Sequence, residues 1–154
     1  MSNTYSQIYI QLVFAVKFRQ SLIAETWQDL LYKYITAIVQ HNNHKLIAIG
    51  GVSDHIHILT GLNSDESISH LVQEIKRDSS KWINEKHLVS GHFAWQQGYG
   101  AFSYSRSHID NVVKYILNQK IHHSSMAFLD EYKRLLIHYG VEFDDRYLFT
   151  PPIV

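Results

Sequence analysis

The sequence has 154 residues, and 45% of them are hydrophobic, which is enough for the core of one domain. Fourteen Lys and Arg balance fourteen Asp and Glu, and the resulting net charge of zero argues against a protein that coats duplex DNA by bulk charge. The lack of cysteine excludes disulfides and thiolate zinc sites. No apolar run approaches about 18 residues and no signal-peptide pattern opens the chain, so we expect a cytoplasmic protein without a membrane span.

The first part of the chain is predicted to form a strand, a helix and a hairpin. Residues 7–16 alternate, which predicts a strand with one strongly apolar side. Apolar residues recur at three- and four-residue steps over 25–42, which predicts an amphipathic helix. Two β-rich runs within 45–62 flank the segment from Gly50 to Asp54, and this pattern predicts a hairpin.

The second part is predicted to be mainly helical. Residues 67–85 form a second amphipathic helix, and residues 93–104 are extended but broken by glycines. A third helix is expected over about 107–122, with Ser107 as its N-cap and Asp110 three residues on, as in a capping box. A last helix, near 126–138, should end before Gly140, and the tail after it is expected to be irregular.

The order β-α-β-β-α-β followed by helices predicts the split βαβ, ferredoxin-like arrangement of the α+β class, with an antiparallel sheet. We expect a single domain over 1–154, in which the C-terminal helix and tail occupy about 126–154. The first two helices should cover one face of the sheet. The other face, which carries His55 and His57, is then free for a site or for the third helix.

His55 and His57 are the first candidates for chemistry. They lie on one face of one strand, with Cα atoms roughly 6.6–6.8 Å apart, so both imidazoles can lean toward one cation. Neutral imidazoles suit a divalent ion. His-x-His pairs also arise often by chance, and this pair alone is equally compatible with a structural role.

Tyr115 and Gln119 strengthen the metal interpretation. They are i and i+4 neighbours on one shoulder of the third helix, beside the buried face centred on Ile116. A helix laid on the histidine face would bring a phenol and an amide oxygen to the imidazole pair. Alone, Tyr115 could be an edge residue of the core and Gln119 a solvated residue. For His122 and His123 we expect a surface position or one behind the ligands.

The proposed chemistry is phosphodiester cleavage by a tyrosine. A phenol has a pKa near 10 and is a poor nucleophile at neutral pH, whereas a divalent ion bound to the phosphate would assist its attack. The product is a phosphotyrosine that conserves the energy of the broken bond. The chain has no P-loop pattern, so no nucleotide cofactor is expected.

A DNA substrate would give further residues a role. Lys76, Arg77 and Lys81 are phosphate-contact candidates, although such a cluster is usually a solvated helix face. Trp95 and Tyr99 lie among glycines in a segment rich in aromatic residues, where rings can stack on unpaired bases. The alternative for these rings is packing in the core.

The sequence resembles a known family in four segments, which appear in the expected order. These are SDHIHIL at 53–59, FAWQQGYGAFSYS at 93–105, VVKYILNQKIHH at 112–123 and EYKRLLIHYGVEFDDRYLF at 131–149. They resemble the small single-tyrosine HUH transposases (His, hydrophobic, His) of bacterial insertion sequences of the 200/605 type. Each segment alone is weak, but their combination is highly specific.

The resemblance implies a ferredoxin-like HUH nuclease domain that acts on single-stranded DNA. His55 and His57 would bind Mg²⁺ or Mn²⁺, with Gln119 completing the protein ligands. Tyr115 would be the nucleophile that leaves a 5′-phosphotyrosine and a free 3′-hydroxyl. The family acts as homodimers on single-stranded ends that carry hairpins, and its sites can combine the histidine pair and the tyrosine of different subunits.

Three alternatives remain open at this point. One is a domesticated relative that acts on repeated palindromes, and another is a rolling-circle initiator, although initiators usually carry more domains. The third is a non-catalytic ferredoxin-like domain that binds single-stranded nucleic acid through its sheet. The third alternative leaves the combination of His55, His57, Tyr115 and Gln119 unexplained.

Overall fold

A computed structural model of the chain describes residues 3–123 and 127–148, without the side chains of His122 and Tyr147. The strands are β1 (Tyr9–Ala15), β2 (Lys45–Val52), β3 (His55–Gly61) and β4 (Gly100–Tyr104). The helices are α1 (Glu25–His41), α2 (Ile68–Glu85), α3 (Ile109–Leu117), α4 (Gln119–His122) and α5 (Phe128–His138). None of the described helices is both long and apolar enough to cross a membrane.

The four strands form one antiparallel sheet in the order β2-β3-β1-β4. The central strands β1 and β3 pair so that Val13 lies opposite His57 and Ala15 lies opposite His55. This order and the intervening helices α1 and α2 confirm the ferredoxin-like α+β fold. This strand order places both histidines on β3, an inner strand that pairs with β2 on one edge and with β1 on the other.

One face of the sheet packs under α1 and α2, as the periodicity predicted. The apolar side of β1, including Leu12 and Phe14, meets helix residues such as Leu31 and Ile75, and all four are fully buried. The Ser67 hydroxyl caps α2 by accepting the backbone N–H of His70. The first two helices therefore leave the histidine face uncovered.

The histidine face is covered by α3 and α5. Val112 and Ile116 of α3 pack on Leu59 and Ala48, near the β2 side of the sheet. On the β4 side, a second group joins α5 to β1 and β4, and it consists of Val13, Ala15, Phe102, Phe128, Tyr132 and Leu136. The two inner strands, β1 and β3, therefore have helices on both faces. On the histidine face, α3 and α5 come together over His55 and His57.

Gly50 determines how closely α3 approaches the sheet. The predicted loop from Gly50 to Asp54 is in fact only the two-residue turn Ser53–Asp54, because both glycines continue β2. A Cβ on Gly50 would lie 2.3 Å from the carbonyl oxygen of Ile116, which is far inside contact distance. Glycine is therefore required here by the close packing of the α3 backbone rather than by a turn.

The helix predicted over 107–122 is divided. Arg106–His108 form a 3₁₀ turn and α3 begins at Ile109, without the side-chain cap that was expected from Ser107. Asn118 interrupts the helix with φ −100° and ψ 23°, and α4 follows it. Gln119 follows this break and still lies one turn after Tyr115.

The last helix ends as predicted. Gly140 adopts φ +66°, and its N–H bonds to the carbonyl of Ile137, while the N–H of Val141 bonds to the carbonyl of Leu136. These two bonds form a Schellman motif, which satisfies the carbonyls of the final turn. The predicted start at residue 126 and the tail beyond 148 lie outside the described residues.

Candidate active site

His55 and His57 lie side by side on β3. Their ring centroids are 5.2 Å apart at an angle of 73°, and both side chains are fully buried. The alternation of the strand directs both rings to the same face, while Ile56 packs into the core on the other face. The ring of His55 also stacks on Phe128 of α5 at 4.2 Å, which fixes its orientation.

Asp54 determines which nitrogen of His55 carries the proton. The Nδ1 atom lies 2.7 Å from Oδ1 of Asp54, and a carboxylate can only accept. Nδ1 therefore donates, and in the neutral ring Nε2 presents its lone pair to the space under α3 and α5. A carboxylate behind an imidazole is a frequent support of a metal-ligating histidine.

Gln11 performs the same function for His57. The Nδ1 atom of His57 donates to Oε1 of Gln11 at 2.7 Å, and the amide nitrogen of Gln11 donates to the Tyr104 hydroxyl at 2.6 Å. The second bond fixes the amide orientation. Burial lowers the pKa of His57 to about 4, although its hydrogen bond and proximity to Glu131 oppose this shift, so the ring is neutral at pH 7.

The helix α3 and the turn after it bring Tyr115 and Gln119 to the histidines. The Tyr115 ring meets the His57 ring edge-on at 5.7 Å. Oε1 of Gln119 lies 3.1 Å from Nε2 of His55, and its amide nitrogen donates to the carbonyl of Tyr115 at 3.3 Å. The four residues singled out in the sequence thus meet in one chain, in a site where Gln119 is 1% exposed.

Glu131 of α5 lies at the centre of the site and was missed by the sequence analysis. Its Oε1 atom is 3.0 Å from Nε2 of His57 and 3.6 Å from Nε2 of His55. The Tyr115 hydroxyl donates to its Oε2 atom, and Nε2 of His123 lies 3.2 Å from Oε1. His123 therefore lies beside the carboxylate, whereas the expectation for the side chain of His122 falls outside the described residues.

The pKa values of Glu131 and Tyr115 shift in opposite directions. Burial alone would raise the pKa of Glu131, but hydrogen bonds from His123, His57 and Tyr115 outweigh it and hold the pKa well below its usual range. Burial and the neighbouring carboxylate raise the pKa of Tyr115 well above its usual range. The site thus contains a buried carboxylate beside a neutral phenol.

The sequence did contain a signal for Glu131. The buried face of α5 consists of Phe128, Glu131, Tyr132 and Leu136, which follow a helical three-and-four spacing. A carboxylate in such a stripe is rarely buried without a partner. An acidic residue on an otherwise apolar helix face therefore indicates a polar site beneath that helix.

The donor set fits a divalent cation. Nε2 of both histidines, Oε1 of Gln119 and Oε1 of Glu131 converge, and one ligand atom each from His55, His57 and Glu131 lies within 4.8 Å of the others. With both rings neutral, all four atoms would present lone pairs, and their contacts of 3.0 to 3.6 Å bring them close enough together to hold one ion.

A comparison with known protein families decides which family the chain represents. The family described as "Transposase IS200 like" matches residues 4–119, more than half of the chain. The chain belongs to the IS200-like transposase family. Among curated proteins, no match to the sequence was found.

Two solved structures share the fold of this IS200-like transposase. A candidate transposase from Deinococcus radiodurans R1 superposes with a TM-score of 0.63 at 22% identity, covering 77% of this chain and 95% of that chain. A REP-associated tyrosine transposase bound to a REP hairpin gives a TM-score of 0.61 at 14% identity, covering 100% of this chain and 96% of that chain. At these identities the similarity establishes a common fold.

The basic residues expected to contact DNA lie on α2 of the IS200-like transposase, on the other side of the sheet from the histidines. Arg77 and Lys81 are exposed, each beside a carboxylate of the same helix. Lys76 instead donates to the carbonyls of Gln96 and Gly98 at 2.7 and 2.6 Å. Burial lowers its pKa to about 8, so Lys76 secures the segment before β4 rather than presenting a free charge.

The two aromatic candidates differ in exposure. The expectation that Trp95 stacks on DNA bases is wrong, because the ring is 8% exposed and packs edge-on against Phe14 at 4.9 Å. Its indole N–H donates to the Ser79 hydroxyl at 2.9 Å, which completes its burial. Tyr99 is partly exposed at the edge of the same core.

A cleft of about 510 Å³ opens between α3 and α5 of the transposase and leads to Tyr115. Its polar lining includes Ser103, Ser105, His108 and Asn111, and aromatic rings flank it. The cleft connects the half-buried side chain of Tyr115 to solvent.

Proposed function

We propose that this IS200-like transposase cleaves and rejoins single-stranded DNA at insertion-sequence ends through a 5′-phosphotyrosine on Tyr115, with a divalent metal. The observation that carries the proposal is the meeting of the Tyr115 hydroxyl and the His57 imidazole at one buried carboxylate. The carboxylate of Glu131 thus brings the phenol and the imidazole pair together at one point of the site.

The metal is proposed to be Mg²⁺ or Mn²⁺, held by His55 and His57 with Gln119. Asp54 and Gln11 hold the two imidazoles in the ligating tautomer. When bound, such an ion withdraws charge from phosphorus and stabilises the transition state. No nucleotide cofactor is proposed, because the substrate itself supplies the energy of the new bond.

The proposed step is a balanced transesterification. The Tyr115 oxygen attacks phosphorus, the bond from phosphorus to the 3′ oxygen breaks, and the 5′ phosphate remains on the tyrosine. The phenol loses one proton and the leaving 3′ oxygen gains one, so no water or oxidant is consumed. Attack by a 3′-hydroxyl on the phosphotyrosine reverses these changes and rejoins a strand.

The proposed substrate is single-stranded DNA that carries a hairpin, bound by one domain comprising the whole chain. Support comes from the REP-associated transposase of the same fold, whose structure contains a hairpin. Arg77 and Lys81 are proposed to contact phosphates and Tyr99 to contact bases, while Lys76 has two of its three donors engaged already. We also propose a homodimer, within which Tyr115 can serve the histidines of its own chain.

The test is adduct formation with a labelled single-stranded oligonucleotide containing a hairpin, in Mg²⁺ or Mn²⁺, on a denaturing gel. Wild-type protein should give a DNA-linked band and Tyr115→Phe should give none, because only the nucleophilic hydroxyl is removed. Tyr34→Phe is the matched control, since Tyr34 stacks on Trp82 in the opposite layer. A DNA-linked band from Tyr115→Phe would contradict the assignment.

A further inference from the structure

We propose that Glu131 joins the metal to the nucleophile, so that its carboxylate is both a cation ligand and the positioning residue of Tyr115. This inference rests on the proposed function and deepens it. Glu131 lies on α5, beyond residues 4–119 that match the family, so the site is completed by a part of the chain that the match does not include.

The two carboxylate oxygens have different partners. Oε1 lies 3.0 Å from Nε2 of His57 and 3.6 Å from Nε2 of His55, on the side where the two imidazoles converge. Oε2 accepts the Tyr115 hydroxyl. One rigid, planar group therefore spans from the metal ligands to the nucleophilic oxygen, and it fixes the separation between them.

The space between Oε1 and the two imidazoles suits a cation. Nδ1 of His57 donates to Gln11, so Nε2 is the nitrogen that faces Glu131, 3.0 Å from Oε1. A carboxylate oxygen beside two imidazole nitrogens attracts a positive charge. His123 contributes a further nitrogen at 3.2 Å, and a divalent ion at the histidine pair would supply the positive charge.

The charge of the donor set supports the same conclusion. His55, His57 and Gln119 are neutral ligands, and a site made of them alone would place an uncompensated double charge in a buried space. Glu131 is 3% exposed and supplies the anionic ligand that Mg²⁺ and Mn²⁺ prefer. A buried carboxylate also needs a positive partner, so the two requirements satisfy each other.

The carboxylate also restricts the phenol. Phe128 and Tyr132 anchor α5 in the apolar cluster on either side of Glu131, so the side chain cannot easily retreat from the site. Tyr115 is held on α3, whose backbone is pressed against Gly50. The hydrogen bond between two firmly seated helices thus places the hydroxyl beside the cation site before substrate arrives.

The first test is a Mn²⁺ titration of DNA-free protein, by calorimetry or by the paramagnetic resonance of free Mn²⁺. Glu131→Gln keeps the size of the side chain and removes its charge, and we expect Mn²⁺ affinity to fall by at least about tenfold. His57→Ala should abolish binding, while Tyr115→Phe and the exposed control Glu85→Gln should leave the affinity within about twofold of wild type. Thermal unfolding verifies that each variant is folded.

The second test separates positioning from ligation. At Mn²⁺ concentrations that saturate Glu131→Gln, the rate of adduct formation should remain at least about tenfold below wild type, because the nucleophile is no longer held. Unchanged Mn²⁺ affinity, or full recovery of the rate at saturating Mn²⁺, overturns the proposal. If wild-type protein forms no adduct, the proposed function fails, whereas the titration without DNA still decides whether Glu131 is a ligand.

Discussion

At the scale of single residues, the site depends on groups that lie behind the two histidines. Gln11 lies in the middle of β1 and is fully buried, with its amide oxygen on His57 and its amide nitrogen on Tyr104. Asp54 supports His55 in the same way from the β2–β3 turn. Each support selects the imidazole tautomer, and the tautomer decides whether Nε2 can ligate a cation.

Gln11→Leu should therefore weaken Mn²⁺ binding although no proposed ligand is changed. We expect the affinity for Mn²⁺ to fall by about tenfold to a hundredfold, since Nδ1 of His57 loses its acceptor. The free energy of unfolding should also fall by about 1–3 kcal/mol, because a buried donor remains without a partner. Asp54→Asn retains an acceptor oxygen and serves as the milder comparison in the same titration. Equal affinities for wild type and Gln11→Leu would refute the tautomer argument.

At the scale of elements, the position of Tyr115 depends on how α3 is seated. The backbone of α3 lies directly on β2, and Ile116, which follows Tyr115, contacts the site of the missing Cβ of Gly50. Gln119 follows the break at Asn118, and its Oε1 lies 3.1 Å from Nε2 of His55. The close approach of α3 to the sheet therefore places Tyr115 and Gln119 beside the histidines.

Gly50→Ala should displace α3 and lower the free energy of unfolding. The new methyl group would lie 2.3 Å from a backbone oxygen that cannot rotate away. Overpacking of this kind costs about 1–3 kcal/mol, measurable by urea denaturation. Gly61→Ala is the matched control, because its methyl group would lie 3.5 Å from Lys45 in ordinary contact, and its stability should remain within about 1 kcal/mol of wild type. Equal effects of the two substitutions would argue against the close approach.

At the scale of the whole molecule, periodicity predicted the fold and most of the site. The strand and helix patterns predicted the sheet topology. The shared faces of His55 with His57 and of Tyr115 with Gln119 indicated that these four could meet, and the family resemblance implied their roles. Periodicity places Glu131 on the apolar face of α5, but its partners are determined only when α5 folds back over the sheet.

Two other details depended on tertiary packing. Trp95 lies in a glycine-rich segment whose composition suits either a surface loop or a core edge, and its hydrogen bond to Ser79 and contact with Phe14 decide for the core. The glycines of β2 predicted a loop, because sequence alone does not show that a helix backbone will press on them. Local patterns therefore described the elements, and contacts between distant segments decided their roles.

The most direct test of the central claim is to identify the residue that carries DNA. Adduct formed with a hairpin-containing single strand is digested with nuclease and protease, and the modified peptide is sequenced by mass spectrometry. We predict a nucleotide 5′-phosphate on Tyr115, with the released strand ending in a 3′-hydroxyl. A nucleotide on any other tyrosine, or cleavage without any modified peptide, would contradict the proposed mechanism.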